Sequence, residues 1–275
     1  ASANTSPVSA GIDAVLKIRL DGALAGSSTI GILVQSAGAS VSGLSVTGFD
    51  GSGIRIEGAA PGATTTVISG NFIGVEPDGV TAAGNGAGIT VSESPGNVIG
   101  GSTPATRNLV SGNGDGIIVT GGASFANTVS GNFVGVDATG AAPLGNVFNG
   151  IGVFHAASNT IGGSSPEFGN VISANRTGIQ ILGNAAASNN IFGNLIGLNA
   201  AGIAEVGNVE AGVMIFNAPD NRIGGSGSGE GNVISGNQAE GVTLFNSGST
   251  GNRIQGNLIG TFGNQGQAIA NGAQG

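Results

Sequence analysis

Hydrophobic residues along this chain alternate with small or polar ones in runs of three to five residues. Glycine, asparagine and serine separate the runs, and Ile117 with Val119 shows β-branched side chains at every second position. Alternation of this kind predicts short strands joined by tight turns. No window of a dozen residues carries a helical stripe, and the 56 glycines of the chain disfavour helices. The pattern therefore predicts an all-β fold.

One phrase, SGNFIGVEPDGVTAAGN at 69–85, recurs along the chain with a nearly constant period. Similar copies lie at 130–146 and 192–208, and a shortened copy lies at 255–261. Motifs of the form Gly-apolar-x-apolar begin at Gly53, Gly88, Gly116, Gly150, Gly178, Gly212 and Gly241, at intervals that alternate between 34–35 and 28–29 residues. A fixed period of this length predicts stacked units that bury their apolar faces on one another.

Strands this short are not stable alone, but each can pair in parallel with the equivalent strand of the next unit. The chain is therefore predicted to be a right-handed parallel β-helix solenoid of about nine coils, alternately short (~28 residues) and long (~34 residues). We expect residues 1–275 to form a single domain. Because neither end carries a recognisable cap, we also expect that domain to be an excised segment of a longer protein.

Asparagines that recur with the same period predict hydrogen-bonded ladders. Asn tolerates left-handed turns, and its side-chain amide can bond to its copy one coil away. The members of two sets are 62 residues apart, which equals one short coil plus one long coil. These predicted ladder residues are Asn97, Asn159 and Asn221, and Asn113, Asn175 and Asn237. A row of surface asparagines offered to a ligand is the alternative interpretation.

Composition and charge narrow the functional classes. With 8% charged and 39% hydrophobic residues, the chain lacks the signature of disorder. Its net charge is −8, and its seven Lys and Arg residues are scattered singly. This distribution argues against nucleic acid as a partner and against an acidic membrane surface. The sequence has no apolar run long enough for membrane insertion, and it has no cysteine for disulfides or thiolate metal sites.

The repeat phrases carry a family resemblance. NVIS at 170–173, GNLIG at 193–197 and DATG at 137–140 alternate with Asn-x-Ile-Gly-Gly. This pattern resembles the parallel β-helix repeat proteins of the pectin-lyase-like superfamily, of the kind found in large secreted or surface-attached bacterial proteins. The resemblance implies the fold and an extracellular location. It does not imply one function, because the superfamily includes polysaccharide lyases and hydrolases as well as adhesins and structural repeats.

The sequence offers no catalytic constellation. The motifs used by the polygalacturonase-like and pectate-lyase-like members are missing, and no carboxylates stack in the pairs that glycoside hydrolysis needs. The candidates for chemistry are His155, the one histidine, and the carboxylates Glu76 and Asp137 in the long-coil loops. No cofactor or metal is predicted. A calcium site in these loops is an alternative to simple turns at the same positions.

Equivalent strand positions on successive coils form columns. In one column that is predicted to face outward, the residues change from polar to apolar halfway along the chain. If the strand parity holds, the C-terminal half exposes a stripe, and such a stripe usually marks an interaction surface. We call these residues the apolar stripe: Phe154, Leu182, Phe216 and Phe245, flanked by Met214 in the neighbouring column. The alternative is that the chain turns here and tucks these side chains inward or under a long loop.

The residues thus favour a non-catalytic structural or adhesive β-helix module of a secreted or cell-surface bacterial protein. Its partner would be a polysaccharide, or a second copy of the chain bound through the apolar stripe. A carbohydrate-active enzyme, either a lyase or a hydrolase, is the alternative from another class.

Overall fold

The chain folds as a parallel β-helix solenoid, which confirms the predicted fold class. The computed structural model describes residues 1–58, 65–262 and 267–272. Within them, three parallel sheets contain nine, eight and eight strands, and each strand pairs with its equivalent on the neighbouring coil. Each coil adds one strand to each sheet in turn, as the repeat period predicts.

The strand bounds of the three sheets follow the repeat. Sheet 1 contains Ile18–Asp21, Leu44–Thr47, Phe72–Ile73, Leu109–Val110, Phe133–Val134, Val171–Ile172, Leu195–Ile196, Val233–Ile234 and Leu258–Ile259. Sheet 2 contains Ile32–Val34, Ser52–Glu57, Ala87–Ser92, Asp115–Thr120, Asn149–Phe154, Thr177–Leu182, Val213–Phe216 and Val242–Phe245. Sheet 3 contains Ser40–Ser42, Val67–Ser69, Val98–Gly100, Thr128–Ser130, Thr160–Gly162, Asn190–Phe192, Arg222–Ile223 and Arg253–Ile254.

The remaining elements are small. Thr261–Phe262 and Gln267–Ala268 form an antiparallel pair. Three 3₁₀ turns cover Val8–Ala10, Pro104–Thr106 and Pro166–Phe168. The described residues contain no helix with the length and hydrophobicity that a membrane span requires.

The core is a stack of identical aliphatic columns inside the three sheets. Ile117, for example, pairs with Ile89 on one side and Ile151 on the other, and all three are fully buried. Isoleucine and valine suit these positions because branched side chains pack well on a pleated surface. The alternation seen in the sequence therefore becomes an inward column on each strand.

Three asparagine ladders run along the solenoid between the sheets. In each ladder the backbone or side-chain N–H of one asparagine donates to Oδ1 of the asparagine on the next coil, at 2.8–3.4 Å. The ladders comprise Asn71, 108, 132, 170, 194, 232 and 257, then Asn85, 113, 146, 175, 208, 237 and 271, then Asn97, 127, 159, 189, 221 and 252. The six asparagines named from the sequence lie on alternate rungs of the second and third ladders.

Glycines recur next to the ladder asparagines for a steric reason. Gly135 has a φ of +87°, and a Cβ added to it would meet the carbonyl oxygen of Ser173 and, at 2.5 Å, Oδ1 of Asn175. Gly100 stands in the same relation to Asn132, with a φ of +91°. The glycine of the repeat therefore leaves the space into which the asparagine of the next coil fits.

A second apolar cluster lies outside sheet 1. Its strands turn one side chain outward, and Phe72, Leu109, Phe133 and Val171 in this column are at most 2% exposed. The long-coil loops cover them, and these loops also bond to one another from one long coil to the next. A segment that we call the N-terminal arm, residues 1–16, covers the rest.

The N-terminal arm is a hairpin-like loop on the outside of the solenoid. Ser2 and Val15 form an antiparallel bridge, and the side chain of Asn4 donates to the carbonyl of Pro104 at 3.0 Å. The amide of Ile12 donates to the carbonyl of Ala138 at 2.6 Å. No pattern in the sequence predicted the arm, because it follows no repeat.

We expect the arm to loosen in acid. The hydroxyl and backbone N–H of Thr5 both donate to the carboxylate of Asp13 at 2.6 Å, and these bonds lower the pKa of Asp13 from 3.8 to about 2. A lowered pKa contributes stability above pH 3.8, and this contribution is lost as the pH falls towards 2. Protection factors of the arm amides, which correct for the intrinsic pH dependence of exchange, should fall over that window. Thr5→Val should raise the pKa of Asp13 measured by carbon NMR, and an unchanged pKa would contradict this assignment.

Candidate interaction surface

The apolar stripe forms one register column on the outer face of sheet 2. Phe154 pairs with Leu182, Leu182 with Phe216, and Phe216 with Phe245. The neighbouring residues Val153 and Ile181 point into the core and are fully buried. The stripe side chains thus lie on the exterior, as strand parity predicts.

Exposure increases along the stripe. Phe154, Leu182 and Met214 are half-buried, whereas Phe216 is 37% and Phe245 is 47% exposed. The ring centroids of Phe216 and Phe245 are 6.4 Å apart with the planes tilted by 48°, a favourable geometry for an aromatic pair. The two most exposed rings therefore present one continuous apolar area.

Gly152 explains why Phe154, the first residue of the apolar stripe, is partly buried. Gly152 occupies the adjacent outward column, and a Cβ there would meet the ring of Phe154 at 2.6 Å and Cδ1 of Ile118 at 2.7 Å. The ring of Phe154 therefore leans across Gly152 towards Ile118, which is only 8% exposed.

The N-terminal half of the same face is polar. Arg55 pairs with Glu57 at 2.6 Å, and the hydroxyls of Ser52 and Thr90 are 2.8 Å apart. The register continues from Glu57 through Ser92 and Thr120 to the apolar stripe. One face of sheet 2 thus combines a polar half with an apolar half.

No family model, curated protein or solved structure matches this chain. The resemblance to pectin-lyase-like repeat proteins therefore rests on the repeat phrases and on the parallel β-helix itself.

His155 lies at a turn next to the apolar stripe. Its φ is +55°, it is exposed, and its ring occupies the space that a Cβ on Gly183 of the next coil would need. Glu93 occupies the equivalent turn two coils earlier, also with a positive φ, and accepts a bond from the amide of Ala123 at 2.8 Å. Two coils correspond to about 10 Å. His155 and Glu93 therefore share a column without forming a pair.

The loop carboxylates are engaged in local structure. Glu76 forms an ion pair with Arg19 at 2.7 Å. Asp137 is 6% exposed and accepts bonds from the Thr139 hydroxyl at 2.6 Å and the Ala142 amide at 3.2 Å. The structure does not bring Glu76, Asp137 and His155 together.

The loop that contains Glu76 and the third long-coil loop close in the same way as the loop of Asp137. Asp78 accepts from the hydroxyl of Thr81 and the amides of Val80 and Thr81, and these bonds lower its pKa. Asn199 accepts from the amides of Ile203 and Ala204. Within the described residues, no three His, Asp or Glu side chains lie close enough to hold a metal ion. A calcium site here stays an untested prediction.

Arg107 is a buried cation that was not predicted from the sequence. Arg107 is 4% exposed, and its guanidinium lies 5.0 Å from the ring centroid of Phe133, beneath the N-terminal arm. Burial lowers its pKa from the usual value. The repeat contained a signal for it: Arg107 precedes a ladder asparagine at a position where the other coils of that ladder have glycine.

Proposed function

We propose that this chain is a non-catalytic structural or adhesive module of the pectin-lyase-like β-helix type, from a secreted or cell-surface bacterial protein. The observation that carries the proposal is the set of three continuous asparagine ladders. Each rung ties one coil to the next by side-chain bonds, most of them buried, in addition to the strand pairing. Networks of satisfied buried amides rigidify the structure that contains them. A solenoid tied in this way suits a rod that spaces or presents other parts of a larger protein.

The adhesive part of the proposal concerns the apolar stripe. Phe216 and Phe245 leave an aromatic area in water, and association would remove that area from solvent. The partner that we favour is a second copy of the chain, because an apolar column on one face can pack against the same column of its copy. A polysaccharide that stacks on the rings is the other partner considered. A carbohydrate-active enzyme is the alternative function.

We expect Phe216→Glu with Phe245→Glu to give a soluble monomer with an unchanged far-ultraviolet circular dichroism spectrum. Full burial of each phenylalanine is worth about 1.5–3 kcal/mol, and both rings are already partly covered. We therefore expect association of the double variant to weaken by roughly a hundredfold. Sedimentation velocity over a range of concentrations measures this change.

The matched control is Phe125→Glu with Phe168→Glu, because these rings are 38% and 37% exposed and lie outside the stripe. Equal loss of association in both double variants would refute the assignment of the stripe as the contact. Unfolding of the stripe variant alone would show that its rings stabilise the fold. Turnover of a polysaccharide that His155→Ala abolishes would overturn the non-catalytic proposal.

A further inference from the structure

Arg107 departs from the repeat at a position that otherwise holds glycine. The residue before each other asparagine of the first ladder is Gly70, Gly131, Gly169, Gly193, Gly231 or Gly256. A large cation in place of glycine adds a side chain that the stacking of coils does not require. Arg107 contacts the ring of Phe133 and donates to Ser6 in the N-terminal arm, and neither contact supplies a counter-ion for its charge.

The charge of Arg107 is not compensated by any carboxylate of the described chain. Arg19, Arg55, Arg176 and Arg222 each form an ion pair with an acidic residue. Arg107 makes no such pair in the described residues, and its hydrogen bond runs from Nη1 to the carbonyl of Ser6 at 3.2 Å. Its Nε is buried without a partner. A guanidinium stays charged in proteins, so this site holds a desolvated positive charge that lacks a counter-ion.

An open cleft of about 490 Å³ lies beside this charge. Arg107 lines it together with Ser9, Ser102 and Glu167. The rest of the lining is mainly apolar: Pro7, Val8, Pro104, Pro166, Leu195 and Ala200. The volume lies within the usual range of small-molecule sites, which are apolar clefts with a few polar groups. Glu167 is exposed, and its carboxylate forms no ion pair with Arg107.

We propose that this cleft binds a small aliphatic carboxylate. The alkyl chain of the ligand contacts the apolar wall formed by the tip of the N-terminal arm and by Leu195, and its carboxylate neutralises Arg107. Charge complementarity selects an anion, and the apolar lining selects a hydrocarbon tail over a sugar or a phosphate. The exposed carboxylate of Glu167 opposes binding by repulsion without occupying the place of the ligand.

Isothermal titration calorimetry with three probes of equal chain length tests the proposal on the unaltered protein. We expect octanoate to bind at least about tenfold more tightly than octanol, and octylammonium to bind more weakly than either. Equal affinities for octanoate and octanol would show that the cleft binds only the alkyl chain. This result would overturn the role of Arg107. The absence of binding by all three probes would overturn the site.

Variants locate the charge that discriminates between the probes. Arg107→Gln should abolish the preference for octanoate over octanol, and Glu167→Gln should tighten octanoate binding. Arg253→Gln, at an exposed arginine of sheet 3, is the matched control and should leave both affinities unchanged. An equal effect of Arg107→Gln and Arg253→Gln would show that net charge, not the cleft, attracts the anion. If Arg107→Gln does not fold, the probe comparison on the unaltered protein decides alone.

Discussion

Replacing Asn175 by alanine should lower the free energy of unfolding by about 4 kcal/mol. Asn175 is fully buried, and its Oδ1 accepts from the backbone N–H and Nδ2 of Asn146 at 3.2 and 2.8 Å. Its Nδ2 lies 3.2 Å from the carbonyl of Val134 and from Oδ1 of Asn208. The substitution leaves these donors and acceptors unpaired in the interior, and each such group costs about 1–3 kcal/mol. Denaturant unfolding followed by circular dichroism measures the loss, because the chain has no tryptophan or tyrosine to report by fluorescence.

The control for this prediction is Asn184→Ala, at an exposed asparagine outside the ladders. It should change the free energy of unfolding by less than about 0.5 kcal/mol. Asn175→Asp separates hydrogen bonding from packing, because the two side chains have nearly the same shape. A carboxylate cannot donate to the surrounding oxygens, so this variant should be at least as unstable as the alanine variant. Stability equal to that of the unaltered protein would show that the ladder bonds contribute little.

Gly135→Ala should destabilise the protein by about 2–5 kcal/mol. The left-handed φ of +87° disfavours alanine by about 1–2 kcal/mol, and the added methyl group adds about 1–3 kcal/mol of overpacking. The methyl group would collide with the carbonyl of Ser173 and the amide of Asn175, which are held by the ladder and cannot give way. The same unfolding measurement detects the effect.

Gly26 provides the matched comparison for Gly135. It has a φ of +88°, but no atom lies within 4 Å of the position that a Cβ would occupy. Gly26→Ala should therefore incur only the conformational penalty of about 1–2 kcal/mol. If both alanine variants lose the same stability, the space beside the ladder is not what the glycine provides.

The regular part of this fold could be predicted from the sequence because one period controls several properties at once. The spacing of 62 residues between Asn113 and Asn175 equals the combined length of one short and one long coil. The same spacing marks asparagines that belong to one ladder. Likewise, the alternation around Ile117 fixes which side chains point inward. The position of the apolar stripe follows from the same parity.

The outer apolar cluster could not be predicted because its strands contain only two residues. In Leu109–Val110 both side chains are apolar, so alternation does not reveal that Leu109 points outward. Its burial depends on loops and on the N-terminal arm, which follow no repeat. The cleft at Arg107 escaped prediction for the same reason, since the arm forms one of its walls.

The asparagine ladders give the solenoid a direction. In each of the three ladders the N–H groups of an earlier coil donate to the oxygen of a later coil, from Asn71 towards Asn257 and from Asn85 towards Asn271. The side-chain amide dipoles therefore align head to tail, and aligned hydrogen bonds polarise one another. In these bonds between asparagines, every coil thus presents side-chain oxygens to its earlier neighbour and N–H groups to its later neighbour. Any segment that continued the ladders would have to join them with the same polarity, because two like ends would oppose donor to donor or acceptor to acceptor.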